Sequence, residues 1–311
     1  MKNLIYYLLK PALPWAFRIR LRRILARRLK RLYSSSWPIL DAASRAPEPW
    51  PGWPGGKQFA FVLTHDVEGM RGFDRCPKLA EMDKTLGFRS SFNFVPEGEY
   101  RVPDDFRAFL VEQEFEIGVH DLHHDGSLYR SHTMFKFQAK KINEYLRAWE
   151  AGGFRSGFMF HNLRWLHDLD VLYDASTFDT DPFEPQPDGV HTIFPFWVRR
   201  DDSKGYIELP YTLAQDSTLF LLLKEKTIDV WTKKLEWIAA HGGMAMVNVH
   251  PDYINFDGRM SASEYSAELY EGFLKHVLSV YRDTCWFALP REVAAYASQF
   301  KPLLHSDSDN R

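Results

Sequence analysis

Phe59-Ala60-Phe61-Val62-Leu63-Thr64-His65-Asp66-Val67-Glu68 starts as an apolar run and ends in a histidine and two carboxylates. A strand covered on both faces has no room for charge unless the charge is paired or bound to a metal. The stretch therefore predicts a buried strand over 59–67 and a polar pocket where that strand stops.

Outward from it, the hydrophobic period switches repeatedly between two and 3.6. Helical spacing over 76–87 is followed by a strand over 88–95, a helix over 103–114 and a strand over 115–120. A helix near 132–151 precedes strand-like segments at 153–160 and 171–178, with a short helix between them. A β-rich insertion then runs to about 213. The chain closes with a helix over 227–241, strand 244–250, helix 261–282, strand 285–289 and a last helix. Repeated β-α units with non-alternating apolar strands predict an α/β fold with a parallel sheet, open or closed. About seven strands favour closure into a distorted (β/α)7-type barrel, whose chemistry collects at the carboxyl ends of the strands.

At 311 residues and 45% apolar content, the chain can bury a full core. Its net charge of −2 hides an asymmetry, because the first 38 residues hold ten Lys/Arg and no Asp or Glu. The apolar residues Phe17, Leu21, Ile24, Leu25, Leu29 and Leu32 recur at helical spacing. Arg18, Arg22, Arg23, Arg27, Arg28, Lys30 and Arg31 fill much of the rest. Such a basic amphipathic helix either lies on an anionic membrane surface or docks on the protein's own body. No reading motif accompanies the charge, so nucleic acid is not an expected partner. Lys10, Pro11 and Pro14 interrupt the apolar start well before the ~20 residues of a spanning helix, and no small-residue cleavage site precedes the basic segment. The expected location is the cytoplasm, peripheral at the inner face of the membrane. Cys76 and Cys285 read as ordinary buried thiols. The expected organisation is a basic segment over 1–44, a Pro/Gly/Trp-rich linker over 45–57, a catalytic domain over 58–300 and a flexible tail over 301–311.

The third strand ends in Gly118-Val119-His120-Asp121-Leu122-His123-His124. His120 and His124 could chelate a metal across one turn, or simply belong to a hydrogen-bonded loop. Asp66 and Glu68, two apart, favour the metal, because two imidazoles and a carboxylate leave a position open for water as catalytic zinc sites do. The second carboxylate could then take a proton from that water. His250, ending Met244-Ala245-Met246-Val247-Asn248-Val249-His250, is either a capped strand-end histidine or a proton donor to a leaving amine. His65 alternates away from Asp66 and should be packed rather than ligating, and His123 lacks the spacing to His120.

In order and spacing these motifs resemble the polysaccharide deacetylase family, also called the NodB-homology or carbohydrate esterase 4 family. LTHDVE (63–68) resembles its first motif, Thr-Phe-Asp-Asp. FEIGVHDLHH (115–124) resembles the His-x-x-x-His metal motif, GFRSGF (153–158) the Arg-x-Pro motif, and VNVHP (247–251) the closing motif. ALPREVAAYA (288–297) resembles the final strand and helix, so the similarity spans about 59–296. The resemblance implies a zinc site of His120 and His124, Asp66 as general base, Arg155 as its partner and His250 as general acid. It implies N-acetyl hydrolysis on a carbohydrate. Val67 stands where many members have a metal-binding Asp, which moves the third ligand to Glu68. Gly157 replaces the expected Pro and implies a looser loop. Asn248 replaces an apolar residue of the acetyl pocket. For the aspartate that tunes the acid histidine the candidates are Asp179 and Asp181, with Asp181 preferred because Phe183 follows it.

Overall fold

The computed structural model describes residues 15–201 and 204–301. Helix α1 spans Trp15–Leu32 and is followed by β1 Phe59–Val67, α2 Met70–Thr85, β2 Ser91–Phe94, α3 Asp104–Glu112, β3 Glu116–His120 and α4 His132–Ala148. Strands β4 Gly153–Arg155, β5 Tyr173–Asp174, β6 Phe196–Arg199 and β7 Gly205–Glu208 come next. A π-helical turn at Ser217–Leu223 leads to α5 Asp229–His241, β8 Met244–Val249, β9 Ile254–Asn255, β10 Tyr265–Ser266, α6 Ala267–Tyr281, β11 Cys285–Phe287 and α7 Pro290–Ser298.

The main sheet runs β1-β2-β3-β4-β5-β7 in parallel, with β6 antiparallel at its end. Strand β8 pairs with the other edge of β1 in the register Ala60 to Met244 through His65 to Val249. Residues 211–213 bridge the gap, since Phe178 pairs with Tyr211 and Leu213 with Val247. The sheet thus curls into the distorted β/α barrel that the β-α alternation predicts. Strand β1 has the predicted bounds, 59–67. The segment predicted as a strand over 153–160 stops at Arg155, because Phe158 and Met159 take positive φ and turn the chain. The strand predicted over 171–178 shrinks to Tyr173–Asp174. Helix α2 begins at Met70, six residues ahead of its predicted start, and carries Pro77 inside it.

Period-two alternation along β1 sorts the core. Phe59, Phe61, Leu63 and Val67 face the helices, whereas Ala60 and Val62 face the barrel interior with Met244, Met246, Ile207 and Leu209. The same parity carries Thr64 and Asp66 inward from β1, and Asn248 and His250 inward from β8. All nine residues of β1 are buried, which explains the unbroken apolar run from Phe59 to Leu63. Outward-facing His65 packs between the layers, with Nε2 2.8 Å from an oxygen of buried Asp83.

Residues 45–57 lie against the amino-terminal end of the barrel. Trp53 is buried and donates to Gly242 O at 2.7 Å, and Trp50 and Trp53 pack edge-on, 4.8 Å between centroids. The tail lies outside the described residues from 302 onward. Among the described residues, no helix is long and apolar enough to cross a membrane.

Candidate active site

Asp66 is the last inward-facing residue of β1 and is 1% exposed. Its Oδ1 accepts from Asn93 Nδ2 at 2.8 Å and from Arg155 Nη1 at 3.3 Å, and its Oδ2 accepts from Asn248 Nδ2 at 2.7 Å. Asn93 can lie across the barrel because Gly118, its register partner on β3, has no side chain. A Cβ there would sit 2.0 Å from Asn93 Oδ1. Arg155 is fully buried and also donates to Ala175 O and Thr64 Oγ1, both at 2.8 Å. A buried guanidinium is tolerated only with its donors satisfied and a counter-charge in contact. Burial favours the neutral form of Asp66, but Arg155, then His120, His250 and Asn93, outweigh it and hold the carboxyl well below the usual range.

Glu68, just past the strand, meets His120 and His124 at the strand mouth. One ligand atom from each of the three lies within 4.8 Å of the others. His120 Nδ1 is 3.1 Å from Arg155 O, so that backbone oxygen fixes the proton on Nδ1 and turns Nε2 toward the pocket. His124 takes a positive φ of 54°, which brings its ring to 4.9 Å from that of His120. Among the described residues neither buried Nε2 has a hydrogen-bond partner, and that of His124 lies 3.4 Å from Glu68 Oε1. Buried polar atoms are almost always paired, so two orphaned imidazole nitrogens beside a carboxylate fit a divalent metal. Burial, with His124 next among the opposing causes, pushes His120 down to about 4 against the pull of Asp66 and Glu68. The ring is therefore neutral, as ligation requires. Val67 packs into the outer core, leaving Glu68 as the nearby carboxylate.

Two residues beyond the sequence reading hold Glu68 in place. Tyr253 Oη donates to Glu68 Oε2 at 2.5 Å. The Asp252 carboxylate accepts from the backbone N–H groups of Glu68, Gly69 and Gly72 at 2.9, 3.0 and 3.2 Å, capping α2 from outside the helix. Both follow closely on His250 in the chain, just past Pro251, which was the available signal.

The structure corrects the expected partner of His250. Asp181 accepts from Tyr211 Oη at 3.0 Å and Phe183 N at 2.9 Å, while Asp179 pairs with buried Lys234. The carboxylate on His250 is Asp216, fully buried, with Oδ1 2.6 Å from His250 Nδ1 and Oδ2 accepting from His250 N at 2.9 Å. Tyr265 Oη and Ser217 N complete its bonds. Asp216 precedes Ser217-Thr218 and an apolar run, an N-cap signature that sequence reasoning passed over. Burial opposes charge on His250, but Asp216, Glu68 and Asp66 together raise it to about 10. Its Nε2 faces the pocket, 3.9 Å from Glu68 Oε1.

Gly157 also departs from expectation. A Cβ there would sit 2.6 Å from Asp121 Oδ2 and 2.9 Å from His124 Cδ2, so glycine permits a tight approach rather than a loose loop. Phe158 stacks on His124 at 4.7 Å. Gly157→Ala is therefore expected to displace His124, and a loss in divalent-metal affinity of about 10- to 100-fold, the range for disturbed ligand support, is measurable by competition with a chelator. Unchanged affinity would show that His124 does not ligate.

Asn248 lines no apolar pocket. It is buried, and besides Asp66 it contacts Thr64 and Gln215.

No protein-family model and no curated relative matches the chain. Solved structures do. A Mycobacterium smegmatis protein assigned to the polysaccharide deacetylases superposes with a TM-score of 0.62 at 17% identity, covering 84% of this chain and 97% of that one. The peptidoglycan deacetylase PdaC of Bacillus subtilis matches at 0.45 and 11%, covering 79% and 94%. A carbohydrate esterase 4 pseudoenzyme of Bacillus anthracis matches at 0.43 and 16%, covering 78% and 66%. With the curled sheet, its closure through β8 and the superposition on the Mycobacterium smegmatis structure over most of both chains, the protein has the polysaccharide deacetylase, or NodB-homology, fold.

Proposed function

We propose that the protein is a metal-dependent hydrolase that removes N-acetyl groups from a sugar or glycan. The observation that carries this reading is the pair of orphaned imidazole nitrogens on His120 and His124, facing Glu68 with a hydrogen-bonded carboxylate and a carboxylate-held histidine beside them. The proposed ligands are Glu68, His120 and His124, and the proposed metal is zinc, which when bound supplies a Lewis acid for the carbonyl and lowers the pKa of a water. Asp66 accepts the proton of the attacking water, with Arg155 holding its charge and Asn93 and Asn248 its orientation. His250, kept protonated by Asp216, gives its Nε2 proton to the nitrogen as the C–N bond breaks, releasing acetate and a free amine. The reading carries with it a cytoplasmic location at the inner face of the membrane, supported by the basic character of residues 1–38.

Acetate release from a panel of acetylated glycans and nucleotide sugars, with zinc or cobalt returned to chelated protein, tests this. Metal-restored release supports it, and silence across the panel with zinc bound sinks it.

One observation favours a second reading, a catalytically silent protein that uses the same pocket to bind a glycan or lipid-linked intermediate. Both oxygens of Asp66 are already engaged, one of them by the Asn248 amide at 2.7 Å. Under this reading the wild type binds glycan without releasing acetate, and Asn248→Val, which frees Oδ2, produces release. Under the enzymatic reading the same substitution lowers an existing rate, because Asp66 loses an orienting donor. The sign of the change separates the two. A non-sugar amide substrate for the same mechanism would show as acetate release confined to other acylated amines.

A further inference from the structure

Helix α1 packs on the carboxyl-end face of the barrel, where the pocket opens. Arg23 Nε donates to Leu221 O at 2.9 Å, and Lys30 pairs with Glu225 at 2.5 Å. Both acceptors lie on or just past the π-helical turn that begins next to Asp216. The charges of Arg22 and His250 both act on Glu184, favouring its carboxylate. Ala26 is buried in this contact. The face that packs is therefore narrow and carries polar ends.

The opposite face is bare. Leu21, Ile24, Leu25 and Leu32 are 48, 52, 54 and 68% exposed, and with Arg28 they occupy positions i, i+3, i+4, i+7 and i+11 of one outward stripe. These leucines do not pack on the barrel. Arg20, Arg22, Arg27 and Arg31 are exposed on the flanks, and no acidic residue occurs before Asp41. An apolar stripe edged by arginines, with no counter-charge of its own, matches a surface that offers hydrocarbon and anionic groups together.

We propose that this face of α1 docks on an anionic lipid membrane, so that the pocket takes its carbohydrate from the bilayer surface, carried on a lipid. The substrate class rests on the deacetylase reading, whereas the docking does not. Nucleic acid would satisfy the arginines but strand four apolar side chains against phosphate. A second copy of the helix would cover the leucines but bring arginine against arginine with no acid to answer it. Lipid satisfies both sets at once, the chains taking the leucines and the headgroups the guanidinium groups. The helix touches segments leading from Asp216 and from His250, including Ala262 O through Arg23 Nη2 at 3.4 Å. A membrane held by α1 therefore lies next to the pocket mouth.

The test is sedimentation of the full-length protein with phosphatidylglycerol/phosphatidylcholine vesicles and with phosphatidylcholine alone. Binding is expected only to the anionic vesicles and should be released by high salt, because exposed charges are screened over about 8 Å at physiological ionic strength. Replacing Arg20, Arg27, Arg28 and Arg31 by Gln should weaken partitioning by about 10²-fold or more, at roughly fivefold per basic residue near the surface. The pair Leu21→Glu and Leu25→Glu should abolish it, with melting temperature unchanged because these side chains are exposed. No sedimentation at low salt overturns the proposal. So does self-association that the leucine variants abolish without any vesicle binding, or RNA retention that ignores the leucine variants. Acetate release from a soluble acetylated sugar is followed in parallel. Its absence with intact vesicle binding would remove the deacetylase reading and leave the docking standing.

Discussion

Purified His120→Ala and His124→Ala proteins are expected to lose stoichiometric zinc at micromolar chelator and to release acetate no faster than buffer, while keeping their far-ultraviolet circular dichroism. Each substitution removes one of three proposed protein ligands, so the loss should exceed the roughly 10- to 100-fold that follows from disturbing only the support of a ligand. Tyr253→Phe supplies that milder case. It deletes the hydroxyl on Glu68 Oε2 and leaves all three ligands present, so zinc affinity should fall into the 10- to 100-fold range. Full zinc occupancy in both histidine variants would remove the site. Normal occupancy in Glu68→Ala alone would move the third ligand to Asp66 or another group. Fold retention is expected because each substitution gives up a single polar contact at the strand mouth, His120 Nδ1 to Arg155 O or His124 Nε2 to Glu68, and leaves the barrel core untouched.

The part of this site that could be read in the sequence is the part fixed by period and strand ends. Once β1 is a strand buried on both faces, alternation alone sends Asp66 inward and His65 outward, and the pairing of His65 with Asp83 follows that parity. The ends of β3 and β8 place His120 and His250 by the same rule. What the sequence concealed depends on close approach between segments far apart in the chain. The need for Gly118 arises from Asn93 on the neighbouring strand, and the need for Gly157 from Asp121 and His124. Neither pressure leaves a periodic trace. Residues 45–57 look like a linker because Pro and Gly forbid regular structure, yet Trp50 and Trp53 anchor them on the barrel, with Trp53 tilted against Trp286 at 5.8 Å. In α1 the amphipathic pattern was visible, but not which face would pack. The apolar stripe of Leu21, Ile24, Leu25 and Leu32 turned outward, while Ala26 is buried, Arg23 bonds Leu221 O and Lys30 pairs with Glu225.

Asp216→Asn is expected to cost about 10²- to 10⁴-fold in kcat, close to the loss in His250→Ala, whereas Asp181→Asn should change it little. The loss follows from the donors around Asp216. Oδ1 of Asp216 meets His250 Nδ1 and Ser217 N, and Oδ2 meets His250 N and Tyr265 Oη. Whichever way an asparagine turns, its NH2 faces groups that donate, and the buried amide loses at least one bond at about 1–3 kcal/mol. The simplest relief is for His250 to give up the Nδ1 proton and accept from the amide. The ring is then neutral and its remaining proton sits on Nε2, without the carboxylate that raised the group to about 10. A proton donor so weakened protonates the leaving nitrogen poorly, so kcat falls with KM nearly unchanged, and nuclear magnetic resonance of the His250 ring should show the altered tautomer. Among the described residues Asp181 bonds to Tyr211 and the Phe183 backbone and not to His250, and Asp181→Asn therefore reports structural cost alone. Equal losses in the two asparagine variants, with the His250 ring unchanged in Asp216→Asn, would return the tuning role to the 179–183 segment and undo the assignment of Asp216.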